Sequence, residues 1–130
     1  MKPFISSQSL YKEKDNISIE LLALSVGNDL VIVIAGGDKA HIGASALSQP
    51  RASLENPDKI SASTSVMCVL GHKEDLLAHH IAQKLSATFN CVVNVTCGIH
   101  IDNADSSKIK ITQTLVNELL DDFISRANQP

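Results

Sequence analysis

The run Leu30-Val31-Ile32-Val33-Ile34-Ala35 constrains this chain more than any other segment. It is apolar at every position and rich in β-branched residues. It is too short for a helix of ordinary length, so it reads as a central strand covered on both faces. Upstream, Ile17, Ile19 and Leu21 alternate with Ser18 and Glu20, and the phase then shifts to Leu22, Leu24 and Val26. That shift predicts a strand over 17–26 with a bulge. Gly27-Asn28-Asp29 joins the two strands as a hairpin turn, because Gly and Asn tolerate positive φ. Residues 4–10 add a candidate edge strand.

Downstream, residues 38–61 are polar, contain Pro50 and Pro57 and show no clear period, which predicts a long functional or flexible loop. Residues 64–70 read as a strand ended by Gly71. Leu77, Ile81, Leu85 and Phe89 recur every fourth position, predicting a helix over 73–89 that stops at Asn90. Val93, Val95 and Cys97 alternate with Asn94 and Thr96 in a strand over 91–97 that gives out at Gly98. A second helix over 107–127 carries the stripe Thr112, Leu115, Val116, Leu119, Leu120 and Phe123, with Asp105 or Ser106 as its N-cap and Arg126 against its C-terminal dipole. The expected fold is α+β in one domain over 1–130: a mixed, mostly antiparallel sheet of four to five strands with two helices, in the order β-β-β-α-β-α. The unit 64–97 is expected to be a crossover joining two parallel strands. Both helices are expected on one sheet face, leaving the other open to a partner.

Composition narrows the function. At 130 residues the chain can build a core without disulfide or metal. A net charge of -3 argues against a generic basic nucleic-acid binder. Four aromatic residues and no Trp make a base-stacking platform a poor fit. No apolar run is long enough for a membrane span, and the start lacks the apolar stretch of a signal peptide. Cys68, Cys91 and Cys97 are odd in number, sit in apolar stretches and form no CxxC pair, so they read as reduced thiols of a cytoplasmic protein.

Three strands end alike, in glycine followed at once by ionisable residues: Gly36-Gly37-Asp38-Lys39-Ala40-His41-Ile42-Gly43, Gly71-His72-Lys73-Glu74-Asp75 and Gly98-Ile99-His100-Ile101-Asp102-Asn103. Ligands bind beyond the carboxyl ends of parallel strands. The first segment joins the other two if strand 30–35 runs parallel to them. Several chemistries then compete. His41, His72 and His100 with Asp38 or Asp102 would make a metal set, though at no known ligand spacing. Lys39, Lys73 and Arg51, with a helix start at Gly71-His72-Lys73, would suit a phosphate, though no Walker or dinucleotide motif is present. Ser61-Ala62-Ser63-Thr64-Ser65 is hydroxyl-rich but lacks a nucleophile elbow. Against these stands the plain reading of polar residues capping strand ends. Glu74 and Asp75 read as residues favoured by the helix dipole, and His79 and His80 as surface and boundary residues.

Taken together, these three segments and Gln49-Pro50-Arg51 resemble the prenylated-flavin chaperones, the small D proteins that accompany gallate-type, UbiD-like hydroxyarene decarboxylases. The resemblance runs over about residues 17–125. Ala40 departs from the family's proline before the first histidine. The resemblance implies a fold similar to small proteasome-assembly chaperones, often paired into dimers. It also implies no catalysis of its own. Such a protein would help a partner decarboxylase acquire or keep prenylated FMN. Carried over by motif, Gly37, Asp38, Lys39, His41, Arg51, His72, Lys73, His100, Asp102 and Asn103 would face the cofactor or the partner. Lys39, Lys73 and Arg51 suit the phosphate, and His72, His100, Asp102 and Asn103 the ribityl hydroxyls or ring edge. With few aromatics to stack on the ring, binding would be modest, which suits transfer. The alternatives are an assembly module that docks through its sheet without cofactor, and a small metal-dependent hydrolase.

Overall fold

A computed structural model describes residues 3–69 and 74–128. Six strands form one sheet: β1 (Ile5–Lys14), β2 (Ile17–Val26), β3 (Asp29–Gly37), β4 (Lys39–Ala52), β5 (Ile60–Cys68) and β6 (Val93–His100). Helix α1 (Asp75–Phe89) connects β5 to β6, and α2 (Ser106–Ala127) closes the chain. The spatial order is β1-β2-β3-β6-β4-β5. β3 and β6 pair parallel, and every other neighbouring pair is antiparallel. The sheet is therefore mixed and mostly antiparallel, with six strands rather than four to five.

The extra strand is the expected loop. Residues 39–52 form a 14-residue strand, and a short turn leads into β5 at Ile60. Its inward residues are Ala44, Ala46 and Ser48, all at 1% exposure or less. Small residues carry little hydrophobic signal, yet they let α1 approach the sheet closely. β4 also takes the place beside β6 that β5 was expected to hold. β5 and β6 do point the same way, since each is antiparallel to β4, but β4 lies between them.

The expected bulge in β2 is absent: its register runs unbroken against both β1 and β3. The apolar phase shift has another cause. Ile19, Leu21 and Ala23 are buried under the helices, while Leu22 and Leu24 project half-buried from the opposite face. β3 behaves alike, with Ile32 and Ile34 fully buried and Val31 and Val33 half-buried on the open face. Helices thus cover one face only. There α1 packs on β4, β5 and β6 and α2 on β1 and β2, and Lys12 of β1 pairs with Glu118 and Asp122 of α2.

The helix ends follow the sequence signals. Asn90 takes the left-handed conformation (φ 52°) that ends α1, and the Asp105 side chain accepts the Lys108 N–H at the start of α2. The turn Asp15-Asn16 has positive φ at both residues, the geometry a two-residue hairpin favours.

β4 crosses β6 with a bulge. Ala40 pairs with Ile99 and Ala44 with Cys97, so three residues of β4 face the single residue Gly98. A Cβ on Gly98 would fall on the His41 carbonyl. Gly98→Ala should therefore lower stability by about 3 kcal/mol, at the upper end of overpacking costs. Urea denaturation checks this as a lower midpoint with an unchanged slope.

Thiol chemistry offers a second check. Burial, then the nearby Glu74 charge, pushes the Cys97 thiol up to about 12. Cys91 is buried too, and Cys68 is exposed. A maleimide at pH 7.5 should label Cys68 first in the native protein, and Cys97 only after unfolding. Cys97 labelling at the Cys68 rate would contradict the packing.

Candidate functional site

The parallel pairing of β3 with β6 brings two of the three glycine-ended segments to one edge. Gly37 lies opposite His100 in the register. The strand exits are stitched together beyond it. The Asp38 N–H donates to the His100 carbonyl at 2.6 Å, and the Asp102 N–H donates to Asp38 Oδ2 at 2.7 Å. His100 Nε2 lies 3.0 Å from Asp102 Oδ1. Lys39, exposed, opens β4 opposite His100. Gly37 has φ 79° and no room for a Cβ beside the His100 carbonyl, so the turn out of β3 needs glycine. Asn103 also has positive φ, 53°, at the turn after β6.

The bulge of β4 then delivers His41 to the same edge. Its ring meets that of His100 edge-on, with centroids 6.4 Å apart. On its other side His41 Nε2 lies 3.0 Å from Glu74 Oε1, with both side chains about 15% exposed (14% and 15%). Glu74 is the N-cap residue of α1, where a carboxylate is favoured by the helix dipole. A Cβ on Gly43 would fall on that carboxylate, so Gly43 makes the space Glu74 occupies. A polar chain results: Glu74, His41, His100, Asp102, Asp38. The third segment joins it through Glu74. The expected site residues His72 and Lys73 lie outside the described residues.

Arg51 is not part of this edge. It sits near the far end of β4, ten residues beyond His41, or roughly 30 Å along the strand. There its guanidinium donates to Ser63 Oγ at 2.9 Å and to the Ala52 carbonyl at 3.0 Å. The hydroxyl-rich run 61–65 is part of β5, and its Thr64 links Ser48 of β4 to Gln83 of α1. Among the described residues no three His, Cys, Asp or Glu side chains come together in a metal-holding group. No described helix is long and apolar enough to cross a membrane.

Beside the edge, on the helix side, lies a cleft of about 760 Å³ between the first turns of α1 and α2. Glu74, Leu76, Leu77 and His80 form one wall, Ile109, Thr112 and Gln113 the other, and Ile99, His100 and Ile101 the floor. Sequence reasoning did not anticipate it. The signal was present as Leu76 and Ile109, apolar residues that stand off the buried stripes of their helices and are 80% and 48% exposed.

Comparison with known proteins adds to this geometry. A solved structure described as a chaperone complex for yeast 20S proteasome assembly superposes with a TM-score of 0.63, covering 95% of this chain and 98% of that one at 15% identity. That is a likeness of fold. No curated protein matches the sequence significantly. The sequence model of the prenylated flavin chaperone LpdD-like domain matches residues 13–128. That match spans almost the whole chain and takes in the three glycine-ended segments and the bulge of β4. This chain is a member of the prenylated flavin chaperone LpdD-like family.

Proposed function

We propose that this protein is a non-catalytic chaperone that assists the loading or retention of prenylated FMN in a partner UbiD-like aromatic-acid decarboxylase. The observation that carries the reading is the meeting of family-like segments with a ligand-sized space. Of these segments, Glu74 at the start of α1 and Ile99, His100 and Ile101 at the β6 exit line a cleft within the usual size range of small-molecule sites, about 300–1,000 Å³. The donor set fits a flavin in part. His100, His80, Gln113 and Thr112 offer the mixed donors and acceptors that ring carbonyls, ring nitrogens and ribityl hydroxyls require. Of the residues expected at the phosphate, Lys39 opens β4 at this edge, Arg51 is remote, and Lys73 lies outside the described residues. When bound in the decarboxylase, the flavin supplies the chemistry of decarboxylation. This chain's residues would bind and orient it before transfer. Unpaired cysteines suit the reducing cytoplasm as the place of action.

A specific observation also favours a protein-docking role for the open sheet face. Leu22, Leu24, Val31 and Val33 form a continuous apolar patch there, with Leu47 and Met67 exposed at 55% and 77%. A homodimer or the decarboxylase would cover it.

Two measurements test the reading. The protein is titrated with prenylated FMN, followed by flavin fluorescence, and is separately mixed with the apo-decarboxylase and run on size exclusion. Saturable flavin binding or co-elution is expected, with no decarboxylation by the protein alone. Asp38→Ala/His100→Ala removes the acceptor for the Asp102 N–H and the Asp102 partner at an exposed edge. The fold should survive this, and whichever association is present should weaken about tenfold or more. Neither flavin binding nor co-elution would sink the proposal.

A further inference from the structure

We infer that the outer edge of β5 is an interface between two copies of this chain, in which β5 pairs antiparallel with the β5 of the second copy and joins the two sheets into one.

The outer strands of the sheet are β1 and β5. An outer strand presents unpaired backbone groups, and proteins blunt such edges with charge, proline or bulges. β1 is blunted, since it carries Lys12, Glu13 and Lys14. β5 is not. Its nine residues include no charge and no proline, and its register against β4 is unbroken.

The free groups of β5 can be assigned. Just past its end, the Val69 N–H donates to the Gly43 carbonyl at 2.8 Å, in the same register as the rest of the pair. Antiparallel bonding alternates, so the odd-numbered residues of β5 bond to β4. The even-numbered ones, from Ile60 to Cys68, turn N–H and C=O outward. Pro50 agrees with this phase: it stands opposite Ala62, where β4 donates no bond to β5. No described strand lies beyond β5 to receive the outward groups.

This edge complements itself. A two-fold axis through Thr64, the central residue, sets every outward residue opposite another outward one and pairs the whole strand. Ala62 then meets Val66 of the partner subunit on the helix side, and Ser63 meets Ser65 of the partner subunit on the open side. No like charges face each other. The axis stands perpendicular to the sheet, so the helices of both copies stay on one side. α1 packs on β4, β5 and β6, which centres it over β4 and leaves space beside β5. A second copy brings a strand of equal length and equal neutrality, the electrostatic match for an uncharged edge. The pairing uses neither the strand exits nor the open face.

The test is sedimentation velocity on the full chain, joined to amide hydrogen exchange. A reversible dimer is expected at about 200 µM, dissociating toward about 2 µM, as suits a small interface. The amides of Thr64 and Val66 should exchange more slowly as the dimer forms. Ser63 and Ser65 are exposed, so charge can be placed there without disturbing the core. Ser63→Lys/Ser65→Lys sets lysine opposite lysine and should weaken the dimer about tenfold. Ser63→Glu/Ser65→Lys sets opposite charges in register and should restore it to within about threefold of the unmodified chain. Val66→Pro removes an outward N–H only, so a folded monomer is expected; should that variant fail to fold, the charge pair carries the test. A chain that stays monomeric at about 200 µM overturns the inference. So does a dimer that ignores both charge variants, which would place the interface elsewhere, the open face included. Protection of Thr64 and Val66 only on adding the apo-decarboxylase gives the edge to that enzyme and overturns the second copy as its occupant.

Discussion

Strand β6 pairs in parallel with β3 on one side and antiparallel with β4 on the other, and the rest of the molecule is arranged around that placement. A parallel neighbour cannot be reached by a tight turn. The chain leaves β3, runs out along β4, returns along β5 and crosses through α1 before β6 can be inserted. The reward is that the carboxyl ends of β3 and β6 stop together, with Gly37 beside His100. β4 starts at the same edge and must cross the end of β6 in the opposite direction, which it does through the bulge over Gly98. Close approach at Gly98 turns His41 toward Glu74, and the space at Gly43 admits the Glu74 carboxylate. Two glycines without side chains thus set the position of the helix α1 start against the sheet.

Large aliphatic residues made β3, β6 and both helices legible in the sequence. Their period survives because Ile32, Ile34, Val93 and Val95 lose almost all their exposure. β4 was illegible for the converse reason. Its core residues are Ala44, Ala46 and Ser48, and its outer residues include Ser45 and Gln49, so nothing in its hydropathy distinguishes inside from outside. The misread bulge of β2 came from assuming one wet face. Both faces of that strand are apolar, so phase carried no information about pairing. At the candidate site, the glycine-ended exits of β3 and β6 do meet at one edge, and the joining of Asp38 to Asp102 and His100 follows from parallel pairing that hydropathy alone could not establish. Glu74 read as a helix-dipole residue and is also one; its second partner, His41, depends on the bulge and has no local sequence signal.

The two faces of the sheet divide the work. Beneath the helices the packing is continuous from Leu10 through Ile34 and Val95 to Phe123. The opposite face keeps Leu22, Leu24, Val31 and Val33 half-buried, with no described helix over them. An apolar centre of that extent is the ordinary composition of a surface that meets another protein. The likeness in fold to a proteasome-assembly chaperone shows only that this helix-on-one-side architecture is shared. Under the proposed function the arrangement is useful. A protein that must touch a cofactor at one edge and an enzyme elsewhere needs two surfaces that do not compete, and the strand exits and the open face are such a pair.

The polar edge itself is built for holding. Asp38 is engaged by the Asp102 N–H, Asp102 by His100, and His41 by Glu74. Each of these three carboxylates is engaged with a neighbour. Committed groups resist movement, because breaking such a contact at a partly buried site leaves a polar atom to be resolvated. Rigidity of this kind lowers the entropy lost when a ligand is ordered against the edge. It does not by itself give high affinity, for among the described lining residues of the cleft alongside there is no Phe, Tyr or Trp to stack on. A preorganised rim with a weakly gripping slot favours a bound state that forms readily and is released readily. That balance is what transfer of a cofactor to a tighter site demands: the affinity of the donor must lie below that of the acceptor, and the geometry of the ligand must be set before the acceptor arrives.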